Sequence, residues 1–338
     1  MKIVIDKDIP YIEGVFEPYA DVLYINGSEI DNKTLTNANA LIIRTRTKCN
    51  RALLHNTHIS IIATATIGTD HIDMNYCNSQ GIVVVNAPGC NSSAVRQYFF
   101  TALYVLARKL KMNLKDKTLG VIGVGHVGSK IADMGERLGF RVLRNDPPRQ
   151  RMEQHENGYF VELKTLLSCS DIVTVHIPLS RENKNFAGEY FFDGMKPGAI
   201  FVNASRGDIV DEHELLSHIN LLGGTVIDVW RNEPRINTAL LLKADIATPH
   251  IAGYSRQGKI NGTIAVVRAV ARFFRLEELY DFDMEGAVAH IDIEGCNQDG
   301  ITEVLEQLYP IMEDDAALRA NPGQFEQLRS EYNYRIEF

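Results

Sequence analysis

The chain has 338 residues, long for one hydrophobic core, so two domains with an appendage are expected. Its 45% apolar content is that of a globular enzyme, enough for both domains to bury a core. The formal charge of −8 excludes a general nucleic-acid binder, which needs a basic face, but leaves room for a local cationic pocket. From the start, short β-branched runs alternate with helical or polar stretches. "KIVID" (2–6), "DVLYIN" (21–26), "ALIIRT" (40–45), "ISIIATA" (59–65) and "GIVVVN" (81–86) each read as a buried parallel strand of an open α/β sheet. "NSSAVRQYFFTALYVLARKL" then reads as a long helix, with Val95, Phe99, Ala102 and Leu106 on one stripe.

A second α/β unit follows, with strands expected at 118–123, 140–145, 171–176, 199–204, 225–230 and 245–250, a full doubly wound set. Between the first two of these lies "GVIGVGHVGSK". Gly123, Gly125 and Gly128 fit G-x-G-x-x-G between a strand and a helix, the pattern that brings backbone N–H groups and a helix N-terminus to a pyrophosphate. Asp146 closes the next strand, where a carboxylate accepts from ribose hydroxyls and repels a 2′-phosphate. NAD is therefore expected over NADP, with Arg144 and Arg149 beside Asp146 as the opposing signal. The helix at 257–274 has no further strand of this unit to cover, so it is expected to return to the front domain. The nucleotide domain is then an insertion, with the active site in the cleft.

Three polar residues sit at or just past strand ends of the second unit. Arg206 follows "FVNAS", Glu233 follows "VIDVWRN", and His250 ends "DIATP". An imidazole takes up a hydroxyl proton, a carboxylate orients it, and a guanidinium offers two parallel donors to a substrate carboxylate. Singly, each could be a surface ion pair or a loop histidine; jointly they suit hydride transfer at a hydroxyl-bearing carbon. In the front unit, the turn at Ile67-Gly68 can aim backbone N–H groups at an anion, and Arg44, Arg46, Lys48 and Arg51 crowd one strand end. Arg44 is the strongest phosphate candidate of the four. Asp70 and Asp73 are better read as caps of the next helix. No spacing of histidines or cysteines points to a metal.

"NASRGDIVDEHELL", "VIDVWRNEP" and "TPHIAGYS", in this order after "GVIGVGHVG", resemble the D-2-hydroxyacid dehydrogenase family over residues 1 to about 275. The resemblance implies a Rossmann-type doubly wound NAD domain inserted into a split flavodoxin-like substrate domain. It also makes Arg206, Glu233 and His250 the catalytic set. "RTRTKCN", "ATATIGTDHID", "NAPGCNSSAV", "NDPPR" and the tail "DDAALRANPGQFEQLRSEY" are similar to one branch of the family that acts on a small phosphorylated 2-hydroxy acid. By that likeness NAD is held by His126, Val127, Asp146, Thr174, Asp228 and Gly253, with the backbone of Ala204 and Ser205. The substrate is held by Thr45, Thr66 and Tyr254, joining Arg44, Ile67 and Gly68. Gln97 stands where the family usually carries glutamate. Another 2-hydroxy acid as substrate, or an NAD-sensing scaffold without catalysis, remains an alternative reading of the same motifs.

The tail reads as a small α+β unit: a strand over 286–295, then a helix over 300–312 presenting Ile301, Val304, Leu305 and Leu308 on one face. So small a unit must pack against something, its own chain or a second copy. The resemblance implies a homodimer through this tail. The expected division is therefore 1–94 with 255–279, 95–254, and a dimerisation domain at 280–338. The five cysteines show no CxxC pairing, "MKIVIDKDIP" is unlike a signal peptide, and no apolar run reaches the ~20 residues of a membrane span. A cytoplasmic protein with reduced thiols, binding neither nucleic acid nor membrane, is expected.

Overall fold

The computed structural model describes residues 1–153, 159–293 and 295–338. The chain forms two compact units, Met1–Asn91 with Ser255–Val288, and Ser92–Tyr254 with Ala289–Phe338. The breaks fall at 91/92 and 254/255, against 94/95 and 254/255 expected from the sequence.

In the first unit, β1 (Lys2–Asp6), β2 (Asp21–Ile25), β3 (Ala40–Ile43), β4 (Ile61–Thr64) and β5 (Val83–Val85) form a parallel sheet ordered β2-β1-β3-β4-β5, the flavodoxin-like order. The central strands are mostly apolar because both faces are covered; Ile3, Ile5, Ile42 and Ala63 pack with Val266, Val267 and Val270 of the Arg256–Phe274 helix. That helix returns to the first unit as the sequence predicts. Ser255 caps its start by accepting from the Gly258 N–H, and Arg275, at φ 61°, ends it in the left-handed region. Asp73 caps the Met74–Ser79 helix, as expected.

In the second unit all six expected strands form: β6 (Thr118–Ile122), β7 (Arg141–Asn145), β8 (Ile172–Val175), β9 (Ile200–Asn203), β10 (Gly224–Ile227) and β11 (Ile246–Ala247). They are parallel, in the order β11-β10-β9-β8-β6-β7. The direction of winding reverses between β6 and β8, so ligands belong at the carboxyl ends there. Outside β7, the Val161 N–H donates to the Arg144 carbonyl at 2.8 Å, extending the sheet edge. The Ser92–Lys109 helix is buried almost all round, with Tyr98, Phe99, Phe100 and Leu103 fully enclosed. None of the five cysteines is in a disulfide, and among the described residues no helix is long and apolar enough to cross a membrane.

The tail corrects two expectations. It does not separate as a third compact unit: residues 289–338 fall with 92–254 in the second. The Gln298–Leu308 helix lays Ile301 and Leu305 into the same core as Phe99, Leu103 and Leu106, and Leu318 and Phe325 enter the core on the sheet's other face. Nor do the described residues of 286–295 form a strand; Glu294 lies outside them. The alternating pattern is present, but a strand needs a ladder, and among the described residues the stretch makes one long-range backbone bond, from the Ala289 N–H to the Glu337 carbonyl, and a local one at Ile293. The described tail is helical, with further helices at Ile311–Ala320 and Phe325–Ser330. It also covers a sheet edge: buried Asp315 accepts from the Ala247 N–H of β11 at 2.7 Å.

Candidate active site

The turn after β6 has the geometry its glycines predict. Gly123 takes φ 81°, and a Cβ on Gly128 would collide with the Gly123 carbonyl oxygen, so the helix could not seat on the strand. The His126–Arg137 helix starts at Gly125, above which nothing lies within 4 Å of where a Cβ would be. Open space before the first N–H groups of a helix, at His126, Val127 and Gly128, fits a dinucleotide pyrophosphate. Asp146 stands at the end of β7 and has two structural tasks. Its carboxylate accepts from the Val124 N–H at 2.8 Å, tying it to the glycine turn, and from the Arg149 N–H at 3.1 Å as a helix cap. Arg144 and Arg149, the signal for NADP, are already engaged. Arg144 pairs with Glu136 at 2.8 Å and lies over the Tyr159 ring, while Arg149 pairs with Glu153 at 2.6 Å and donates to the Val124 carbonyl. Thr174 is buried on β8, its hydroxyl 2.9 Å from His176 Nε2.

The carboxyl ends of β9, β10 and β11, neighbours in the sheet, carry Arg206, Glu233 and His250. After β9, Asn203 shapes the turn: its Oδ1 accepts from the Ser205 N–H and hydroxyl, and its Nδ2 donates to the Arg206 carbonyl. Gly207 then passes so close to Trp230 that a Cβ would collide with its carbonyl. The turns after β9 and β10, which carry Ala204 to Arg206 and Glu233, are thereby pressed together. Glu233 folds back so that Oε1 accepts from the Trp230 N–H at 3.0 Å, and Oε2 lies 2.7 Å from His250 Nδ1. Burial acts to raise the Glu233 carboxyl. The His250 charge and hydrogen bond, the Trp230 N–H and the Arg329 charge outweigh it, and the carboxyl lies below its ordinary value. An ionised carboxylate only accepts, so Nδ1 carries the hydrogen, and in the neutral ring Nε2 is the site for a substrate proton.

His250 adopts φ 57°, uncommon for a side chain with a Cβ and costing on the order of 1 kcal/mol or more. Asp228 holds the backbone there. Its carbonyl accepts from the His250 N–H at 2.7 Å, and its buried carboxylate accepts from Thr248 Oγ1, the Ile251 N–H and the Ala252 N–H at 2.6, 2.8 and 2.9 Å. Burial pushes this carboxyl above its ordinary value despite the nearby His250 charge and the three donors. Asp228, assigned to the cofactor by resemblance, is thus also the anchor of the histidine loop. Tyr98, whose hydroxyl lies 2.7 Å from Thr248 Oγ1, completes this chain. The sequence reading missed Asn203, Thr248 and Tyr98; the run "DIATPH" places Thr248 two residues before the histidine, the one available hint. Gly253 and Tyr254 follow in the same loop, and the Tyr254 ring packs edge-on against Tyr332 and Tyr334 of the tail.

In the first unit, the expected substrate residues collect past the ends of the adjacent strands β3 and β4. Arg44 donates to the Asp8 carbonyl at 3.0 Å, and Thr45 beside it is exposed. The Thr66 hydroxyl is 2.8 Å from that of Thr64, and the Ile67 carbonyl accepts from Asn86 Nδ2, which fixes the turn through Gly68. Arg46 and Lys48 instead line a separate open cavity of about 400 Å³ with Gly27, Asp31 and Asn50. Among the described residues no cluster of side chains suits a metal ion.

Residues 95–252 match the model of the D-isomer specific 2-hydroxyacid dehydrogenase NAD binding domain, so this stretch is an NAD-binding domain. The whole chain is 43% identical to an erythronate-4-phosphate dehydrogenase of Bacteroides fragilis, covering 97% of that protein. It is 37% identical over its whole length to an enzyme of the same name from Yersinia pestis, covering 93% of it. Among solved structures, the NAD-bound 3-phosphoglycerate dehydrogenase of Entamoeba histolytica is similar at 25% identity and a TM-score of 0.71, over 85% of this chain and 99% of that one.

Proposed function

The chain belongs to the D-isomer specific 2-hydroxyacid dehydrogenases, and from that premise we propose that it oxidises 4-phospho-D-erythronate at its C2 hydroxyl, with NAD, to 3-hydroxy-2-oxo-4-phosphooxybutanoate. The observation that carries the catalytic reading is the 2.7 Å pair between His250 Nδ1 and Glu233 Oε2. It orients the ring and stabilises the imidazolium that forms when Nε2 takes the hydroxyl proton. NAD held at the glycine turn would supply the acceptor for the hydride that leaves C2. Arg206 grips the substrate carboxylate with its planar fork and balances the charge that develops on the C2 oxygen. The turn at Gly123–Gly128 receives the pyrophosphate, and Asp146 the ribose. Tyr254 follows in the histidine loop as a further contact for the phosphorylated acid, and the sequence resemblance assigns Arg44, Thr45, Thr66, Ile67 and Gly68 to the same ligand. By the sequence resemblance such an enzyme serves vitamin B6 biosynthesis, and the sequence reading adds a cytoplasmic location and a homodimer.

A panel assay tests this. NADH formation should be fastest with 4-phospho-D-erythronate, well above 3-phosphoglycerate, and reduction of glyoxylate or hydroxypyruvate should be slow. A preference for one of the others would reassign the substrate while keeping the chemistry. NAD binding without turnover of any of them would leave a scaffold as the better reading.

A further inference from the structure

The C-terminal tail reaches the catalytic histidine from both sides. Before His250, Asp315 accepts from the Ala247 N–H at 2.7 Å, and Arg319 Nη2 donates to the Ala244 carbonyl at 2.7 Å. After it, Arg335 donates from Nη1 to the Ile251 carbonyl at 3.0 Å and from Nη2 to the carbonyls of Ala94 and Ala252. Arg335 is 7% exposed, stacks over the Tyr309 ring at 4.4 Å, and is faced by Tyr332 and the Asp314 carboxyl. Its hold on residues 251 and 252 complements that of Asp228. Asp228 takes the two N–H groups of these residues, Arg335 the two carbonyls. The peptide unit between Ile251 and Ala252 is therefore held at both its N–H and its carbonyl, and the units on either side of it at one group each; such over-determination is what a histidine at φ 57° requires. Gln97 ties the same segment down, its Nε2 donating to the Ile336 carbonyl at 3.0 Å. A glutamate at this position could not donate to a carbonyl, so the departure from the family's usual residue fits the tail above it.

Resting on the dehydrogenase reading above, we propose that Arg335 is a positioning residue for the reaction: by clamping the Ile251 and Ala252 carbonyls it holds His250 on Glu233. The tail is then part of the active site's framework, whatever else it does in assembly. Lysine keeps the charge but is a single point donor and cannot span three carbonyls.

The test uses Arg335→Lys in the full chain. kcat should fall about tenfold or more while the KM for NAD stays within about twofold, because displacement of the base costs turnover and leaves the glycine turn alone. In a Glu233→Gln background the same substitution should cost far less, since the pair it serves is already broken. Independently of any substrate, the His250 ring signals in ¹⁵N-histidine-labelled protein, identified by their loss in His250→Asn, should move in Arg335→Lys toward those of Glu233→Gln, where the pair is broken. Should that variant not fold, Gln97→Met, which loosens the tail at Ile336, should give a smaller change of the same kind. A folded Arg335→Lys protein with unchanged kcat and unchanged His250 ring signals overturns the proposal, as does a loss fully additive with Glu233→Gln. A wild type that turns over no 2-hydroxy acid, yet whose His250 signal responds to Arg335, would overturn the dehydrogenase reading and leave the clamp standing.

Discussion

The turn after β6 and the loop after β11 lie at the carboxyl edge of one sheet, yet they are held in shape by different means. The turn is local: Gly123, Gly125 and Gly128 set its path within six residues, and Asp146 at the next strand end ties it down. The histidine loop has no such internal logic. His250 sits in a conformation that its own residue type disfavours, and its bonds run to Asp228 on the neighbouring strand, to Glu233, and to Arg335 far along the chain. Cofactor binding and proton transfer should therefore fail separately.

The largest expected effect that separates them is His250→Asn. It should lower kcat by about 10²–10⁴ and leave NADH affinity, read by fluorescence titration, unchanged. Parallel loss of both would merge the two regions into one cooperative element. Glu233→Gln should be the next largest, on the order of a hundredfold in kcat/KM. The acid limb of its pH profile should lie at lower pH, because the imidazolium loses its counter-charge. The reverse experiment is Gly128→Ala, where overpacking of roughly 1–3 kcal/mol falls on the glycine turn. NADH should bind about tenfold or more weakly, while the His250 ring signals stay unchanged. Asp146→Ala should be milder, narrowing the preference for NAD over NADP by about tenfold. The gain for NADP is limited because Arg144 and Arg149 already have partners.

The smallest effect is on stability. The Glu233 carboxyl lies below its ordinary 4.5 in the folded protein, so the unfolded chain takes up its proton first as pH falls. The stabilisation is complete above about 4.5 and is lost as pH drops through the depressed folded value. Urea midpoints of wild type and Glu233→Gln should therefore converge on acidification. A gap that stays constant from neutral pH down would detach this carboxylate from the charge pairing described.

Both sheets, the returning helix, the glycine turn and the residue types of the triad were legible in the sequence. Each is written by short-range rules: apolar runs for strands covered on both faces, spacing for a helical stripe, glycine where a Cβ has no room. The trio proposed for catalysis could be grouped from sequence because parallel strands deliver their ends to one edge. Alternation in "GAVAHIDIEG" was misleading, since alternation supplies a buried face but no ladder partner. What only the tertiary structure decided is where the tail goes and what it grips. Arg335 donates to main-chain carbonyls, groups that every residue carries, so its acceptors at Ile251 and Ala252 leave no side-chain signature in the sequence. A bond of that kind exists only once distant segments have packed, and packing is set by the shape of the whole core rather than by any stretch of the chain.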